Sequence, residues 1–81
     1  MWIMVVRLNK RLYEQDILQI IQSHEQKIII DLEKVLYLSL KEIGDLIMLN
    51  RQGREITLLN ANNLIKGAIE ILKVNNEMNI L

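Results

Sequence analysis

The chain has no cysteine, no proline and no phenylalanine, and it carries a single histidine. Without thiols, disulfides, thiolate zinc sites and thiol catalysis are excluded. The histidine, His24, has no second soft ligand to share a metal with. It falls on the apolar stripe of a predicted helix near its C-terminus, where partial burial and the helix dipole account for it. Neither metal nor cofactor is expected. The aromatic residues Trp2, Tyr13 and Tyr37 are too few and too scattered for a base-stacking platform. Ten basic residues balance ten acidic ones, so no general affinity for nucleic acid or acidic membranes follows. No apolar run approaches the ~18–20 residues of a membrane span. The opening Met1–Val6 lacks the basic flank and the long core of a signal peptide, so a cytosolic protein is expected. Neither phosphate-loop pattern, G-x-x-x-x-G-K-[ST] or G-x-G-x-x-G, occurs. The missing Pro and Phe, beside abundant Ile, Leu and Asn, read as genome composition rather than function.

What is present is apolar and periodic. Eighty-one residues with 51% apolar side chains make one soluble domain, residues 1–81, with a stability of roughly 4–12 kcal/mol. The stretch from Lys27 to Gly44 organises it. Ile28, Ile29 and Ile30 form a β-branched run suited to a strand buried on both faces of a sheet. Asp31 ends the run, a short connection follows, and a helix begins near Leu40. Ser39 is a good N-cap for it, and Glu42 completes an S-x-x-E capping box.

Around this unit, Trp2–Leu8 reads as a first strand and Asn9-Lys10 as a turn. Glu14–His24 reads as a helix, with Tyr13, Ile17, Ile20, Ile21 and His24 at 3–4-residue spacing. The second helix spans Leu40–Arg51. Gly44 inside it costs roughly 1 kcal/mol relative to Ala, which a close approach of helix to sheet would explain. Gly53 suits the left-handed C′ position. Glu55–Asn60 is a third strand. Asn62 or Asn63 caps a third helix whose stripe contains Leu64 or Ile65, Ala68, Ile69 and Leu72. Val74–Asn76 reads as a turn, and Met78–Leu81 as a final short strand or an apolar tail. Strand and helix alternate, so the fold class is α/β: a small, mostly parallel sheet of three to four strands with about three helices.

The residues Asp31, Leu32, Val35, Leu38 and Gly44 also carry a family resemblance. The pattern D-L-x-x-V, an apolar residue, a small polar residue and a helix with an early Gly resembles the core of the STAS domain. That family includes anti-sigma-factor antagonists, the cytosolic tails of sulfate-transporter-type carriers and a cytosolic subunit of lipid-trafficking ABC transporters. The passage R-Q-G-R-E-I-T-L-L-N-A-N-N is similar to the family's sequence of basic turn, strand, Asn-rich loop and helix. The resemblance implies a STAS-like sandwich in a bacterial cytosol. It also implies a non-catalytic regulatory module that docks a protein partner, of regulatory-kinase, anti-sigma or transporter type, through residues 39–47. The implied surface is Ser39, Leu40, Lys41 and Asp45.

The family's D-S-S-G signature is absent. Aligned residue by residue, its Asp falls on Ser39, its phosphorylatable Ser on Leu40, its next Ser on Lys41 and its Gly on Glu42. Leucine accepts no phosphate, and Ser39 reads as a cap rather than a displaced phosphosite, so the phosphoserine switch is expected to be lost. The family's usual first strand and last helix have no counterpart here, which leaves one sheet edge and part of one face uncovered. A homodimer is therefore expected, with an intermolecular strand pair as one route.

Two further sets of residues have competing readings. Asp31, Asn60 and Asn62 lie in loops able to line a small-ligand or nucleotide pocket, the alternative function, whereas hydrogen bonding to loop amides and helix capping account for them more simply. Arg51, Arg54 and Lys66 form either a basic cluster or ordinary helix-end cations. A purely structural oligomer is a third possibility. No acid, base and nucleophile converge, so an enzyme is not expected.

Overall fold

A computed structural model describes residues 3–72 and 78–81. The elements run β1 (Ile3–Lys10), α1 (Glu14–Ser23), β2 (Lys27–Val35), α2 (Leu40–Arg51), β3 (Glu55–Leu59), α3 (Asn63–Ile71) and β4 (Asn79–Ile80). Each strand lies beside its predecessor, in the order β1-β2-β3-β4, and every pair is parallel. The fold is α/β, and the described residues form a four-stranded parallel sheet with three helices. Trp2 and the Val74–Asn76 turn lie outside the described residues. Among the described residues no helix is long and apolar enough to cross a membrane.

Consecutive strand order has a consequence for the layers. Right-handed crossovers that always step in the same direction put every connecting helix on the same face. The strands alternate accordingly. Val6, Leu8, Ile28, Ile30, Leu32, Ile56 and Leu58 point inward and are buried. They meet Ile17 and Ile20 of α1, Ile43, Leu46 and Leu49 of α2, and Ile65 and Ile69 of α3 in one cluster. Each fully buried Ile or Leu contributes about 1.5–3 kcal/mol relative to exposure. The isoleucine run accordingly holds the second of four strands, with Ile28 and Ile30 buried and Ile29 on the opposite face.

Several boundaries differ from the sequence reading. The strand does not stop at Asp31 but continues to Val35. The Asp31 carboxylate accepts the Glu33 N–H at 3.0 Å, which holds an extra residue in the strand. Arg7 pairs with Asp31 whereas Asn9 pairs with Lys34. This bulge resets the alternation, so Leu32 and Val35, three apart, are both buried. The first strand likewise runs on to Lys10, and Lys10 rather than Asn9 takes the left-handed conformation (φ 78°).

The first helix stops at Ser23. His24 caps it in left-handed geometry (φ 58°) and is exposed, not part of the apolar stripe. Tyr13 and Ile21 are also exposed, leaving Ile17 and Ile20 as the helix's buried pair. Gly44 is exposed as well, and a Cβ built on it meets nothing within 4 Å. No close helix–sheet approach requires that glycine. Gly53 does take the left-handed C′ position (φ 96°).

Candidate functional site

The β1–α1 and β2–α2 loops leave the sheet side by side at its carboxyl end, and a cleft of about 480 Å³ opens between them. β1 delivers Lys10, and the loop behind it delivers Arg11 and Tyr13. The bulged end of β2 delivers Lys34, the loop after it Leu36 and Tyr37, and the cap and first turn of α2 supply Ser39 and Glu42. Arg11 lies over the Tyr13 ring, 5.5 Å from its centroid, a cation–π contact that orients both side chains. Leu36, Tyr37 and Leu40 are 76%, 63% and 72% exposed. The β2–α2 loop and the start of α2 thus present bulky apolar side chains to solvent, and the ends of β1 and β2 with the loop after β1 supply three cations.

The floor of this site is fixed by Glu42, a buried carboxylate. Ser39 Oγ accepts the Glu42 N–H at 3.1 Å, and Glu42 Oε1 accepts the Ser39 N–H at 3.1 Å, so the capping box forms. The other carboxylate oxygen, Oε2, accepts the Leu12 N–H at 2.9 Å across thirty residues of sequence. One side chain therefore caps α2 and ties the β1–α1 loop to it. Burial raises the Glu42 pKa, but the hydrogen bonds from Ser39 and Leu12, with Arg11 nearby, outweigh it and leave the carboxyl below its ordinary value.

The residues implied as the partner surface do not share one environment. Ser39 is half-buried and committed to its cap. Leu40 is fully presented. Lys41 and Asp45, one turn apart on α2, pair with each other at 3.2 Å, a contact worth about 0.3–0.5 kcal/mol in an exposed helix.

Asp31, inside β2, and the loop residues Asn60 and Asn62 are tied into hydrogen bonds within the chain. Asn60, left-handed at φ 60°, donates from Nδ2 to Asp31 Oδ1 at 3.1 Å. The Glu33 N–H, then the Asn60 amide, hold the Asp31 carboxyl below its ordinary value, with Arg7 and Lys34 adding to the effect. Asn62 is the α3 cap: its Oδ1 accepts the Ile65 N–H at 2.8 Å while its Nδ2 donates to the Leu36 carbonyl at 2.8 Å. It holds the apolar loop in place rather than facing a ligand. Parallel sheets bind nucleotides in the crevice where strand order reverses, and among the described residues the order does not reverse.

Arg54 and Lys66 do not meet. Arg54 donates to the carbonyls of Ile20 and Ile21 at the end of α1, before β3 begins. Lys66 stands in the first turns of α3, after β3 has ended. Among the described residues no three His, Cys, Asp or Glu side chains gather in a group able to hold a metal.

No protein-family model matches the chain, and no curated protein matches it either. The site must be read from its own chemistry. Sequence reasoning identified the Ser39–Glu42 box and Leu40, but missed the tie from Glu42 to Leu12 and the cationic side of the cleft. Lys10, Arg11 and Lys34 are scattered through the sequence, and only the pairing of β1 with β2 brings them together. The available signal was weak: each lies within a residue or two of a predicted strand end, where binding residues gather in α/β folds.

Proposed function

We propose that the protein is a non-catalytic interaction module that docks an acidic segment of a protein partner in the cleft between its first two crossover loops. The observation that carries this reading is the exposure of Leu36 and Tyr37 in the cleft with Lys10, Arg11 and Lys34, and of Leu40, which follows the lining residue Ser39 at the start of α2. Exposed apolar anchors ringed by charge of one sign are the usual make-up of a docking patch. Cations recognise carboxylates, steer encounter and reject basic competitors. Three cations against one acid, Glu42, leave the cleft lining net positive.

The STAS resemblance supports the same mode, docking through the loop and the first turns of α2 by a cytosolic regulatory or transport partner. It leads to a constitutive contact rather than a switched one. A phosphate on Ser39 would have to displace the Glu42 carboxylate from the helix N-terminus, and Leu40 has no acceptor oxygen.

Selection from a random peptide library tests the proposal. The expected consensus combines two or more acidic positions with a large apolar one. L40E and K34E should each weaken the selected peptide about tenfold with unchanged circular dichroism. A consensus without acidic positions, or binding indifferent to both substitutions, would overturn the assignment.

A further inference from the structure

Parallel sheets are ordinarily covered on both faces, and here the helices cover one. On the open face Val5 and Ile3 are 54% and 46% exposed, and Ile29, Thr57 and Leu59 are half-buried. Strand register orders the open-face side chains into three rows across the sheet. The first is Ile3, Lys27 and Glu55; the middle is Val5, Ile29, Thr57 and Asn79; the third is Arg7, Asp31 and Leu59. An uncharged row, apolar in Val5 and Ile29 and polar in Thr57 and Asn79, thus lies between two charged ones.

We propose that this face is the interface of a homodimer, two copies stacked sheet to sheet about a two-fold axis running across the strands through the middle row. Charge complementarity favours that axis over one along β2. The axis across the strands keeps β2 over β2 but reverses its direction, so the first row of each copy covers the third row of the other. Lys27 then meets Asp31 of the partner subunit, and symmetry makes the contact twice. An axis along β2 would instead stack Lys27 on Lys27 and Asp31 on Asp31, with like charges opposed.

Both groups are available for the contact. Among the described residues Lys27 has no ion pair within its own chain. Asp31 makes both its hydrogen bonds through Oδ1, leaving Oδ2 free of them. The two residues stand four apart on one strand, about 13 Å at ~3.3 Å per residue. Packed sheets lie about 10 Å apart with interleaved side chains, a gap that a lysine reaches across. Four strands at ~4.8 Å by five residues give a platform of about 19 by 17 Å. That is roughly 320 Å² a side, well under the ~800 Å² of a standard interface, so the dimer is weak and transient, with dissociation at roughly tens to hundreds of micromolar. The interface uses none of the side chains that line the cleft, so self-association and partner docking are lost through different substitutions.

Sedimentation velocity from about 10 to about 500 µM tests the proposal on the wild type and on K27E, D31K, K27E/D31K and V5K. The wild type should pass from monomer to dimer over that range. V5K should abolish the dimer, and K27E or D31K alone should weaken it at least about tenfold. The double reversal should return it to within about threefold of the wild type. Because Asp31 also anchors the β2 bulge, circular dichroism accompanies each variant; should D31K fail to fold, K27E and V5K decide the matter. A wild type monomeric throughout would overturn the proposal. So would a dimer indifferent to K27E and V5K, as one built through the free edge of β1 would be, or a folded double reversal no tighter than the single ones.

Discussion

Replacing Glu42 with glutamine removes one oxygen and one charge from the side chain that hydrogen-bonds α2 to the β1–α1 loop. At neutral pH the carboxylate accepts Leu12 N–H at 2.9 Å on one oxygen and Ser39 N–H at 3.1 Å on the other. The amide of E42Q keeps one acceptor and turns an NH₂ donor toward the second N–H. One charge-assisted bond is lost and one buried backbone donor is left facing a donor, a cost of about 1.5–3 kcal/mol. Against a total of roughly 4–12 kcal/mol this is a large fraction. With an m-value near ~1 kcal/mol/M for a domain of this size, the urea midpoint should fall by about 1.5–3 M.

The deficit depends on pH. Because the folded Glu42 carboxyl titrates below its ordinary value, its stabilisation is complete above that ordinary value. It is lost as pH falls through the folded value. Protonated Glu42 resembles the amide, so the wild-type and E42Q unfolding curves should converge in acid and separate toward neutrality. Urea titrations at several pH values measure this. A difference under ~0.5 kcal/mol at neutral pH, or one that persists unchanged in acid, would refute the role assigned to Glu42.

Other substitutions probe separate parts of the account. G44A should stabilise the fold by about 0.8–1 kcal/mol, seen as a raised thermal midpoint, because a Cβ there meets open space; destabilisation would restore a packing role for that glycine. N62A should cost about 1–2 kcal/mol through the lost α3 cap. It should also loosen the Leu36 loop, read as faster amide exchange at residues 36–38, because Asn62 holds the Leu36 carbonyl. S39A should cost about 1 kcal/mol in urea, whereas a phosphosite without a capping role would cost nothing.

The alternation of strand and helix was legible because it rests on local patterns: the isoleucine run, the S-x-x-E box, the asparagine caps and the glycine after α2. What failed to show depends on partners distant in sequence. Asp31 looked like the end of a strand because a charged residue interrupts an apolar run. Its carboxylate instead folds back on Glu33 and lets the strand continue. Gly44 looked like a packing contact because a glycine inside a helix is costly, yet it lies on the solvent side. His24 has the spacing of the apolar stripe, but the helix ends before it and turns it outward. The cationic side of the cleft had no local signature, since Lys10 and Lys34 become neighbours only once β1 pairs with β2. Which sheet face lies bare follows from strand order, a property of the whole topology.

The most direct measurement of the docking claim is an NMR titration of the ¹⁵N-labelled protein with the tightest acidic peptide from the library. Shift changes should concentrate on residues 10–13 and 34–40 and disappear in L40E. Changes confined to the open sheet face or to the amino ends of the strands, with the cleft silent, would contradict the claim.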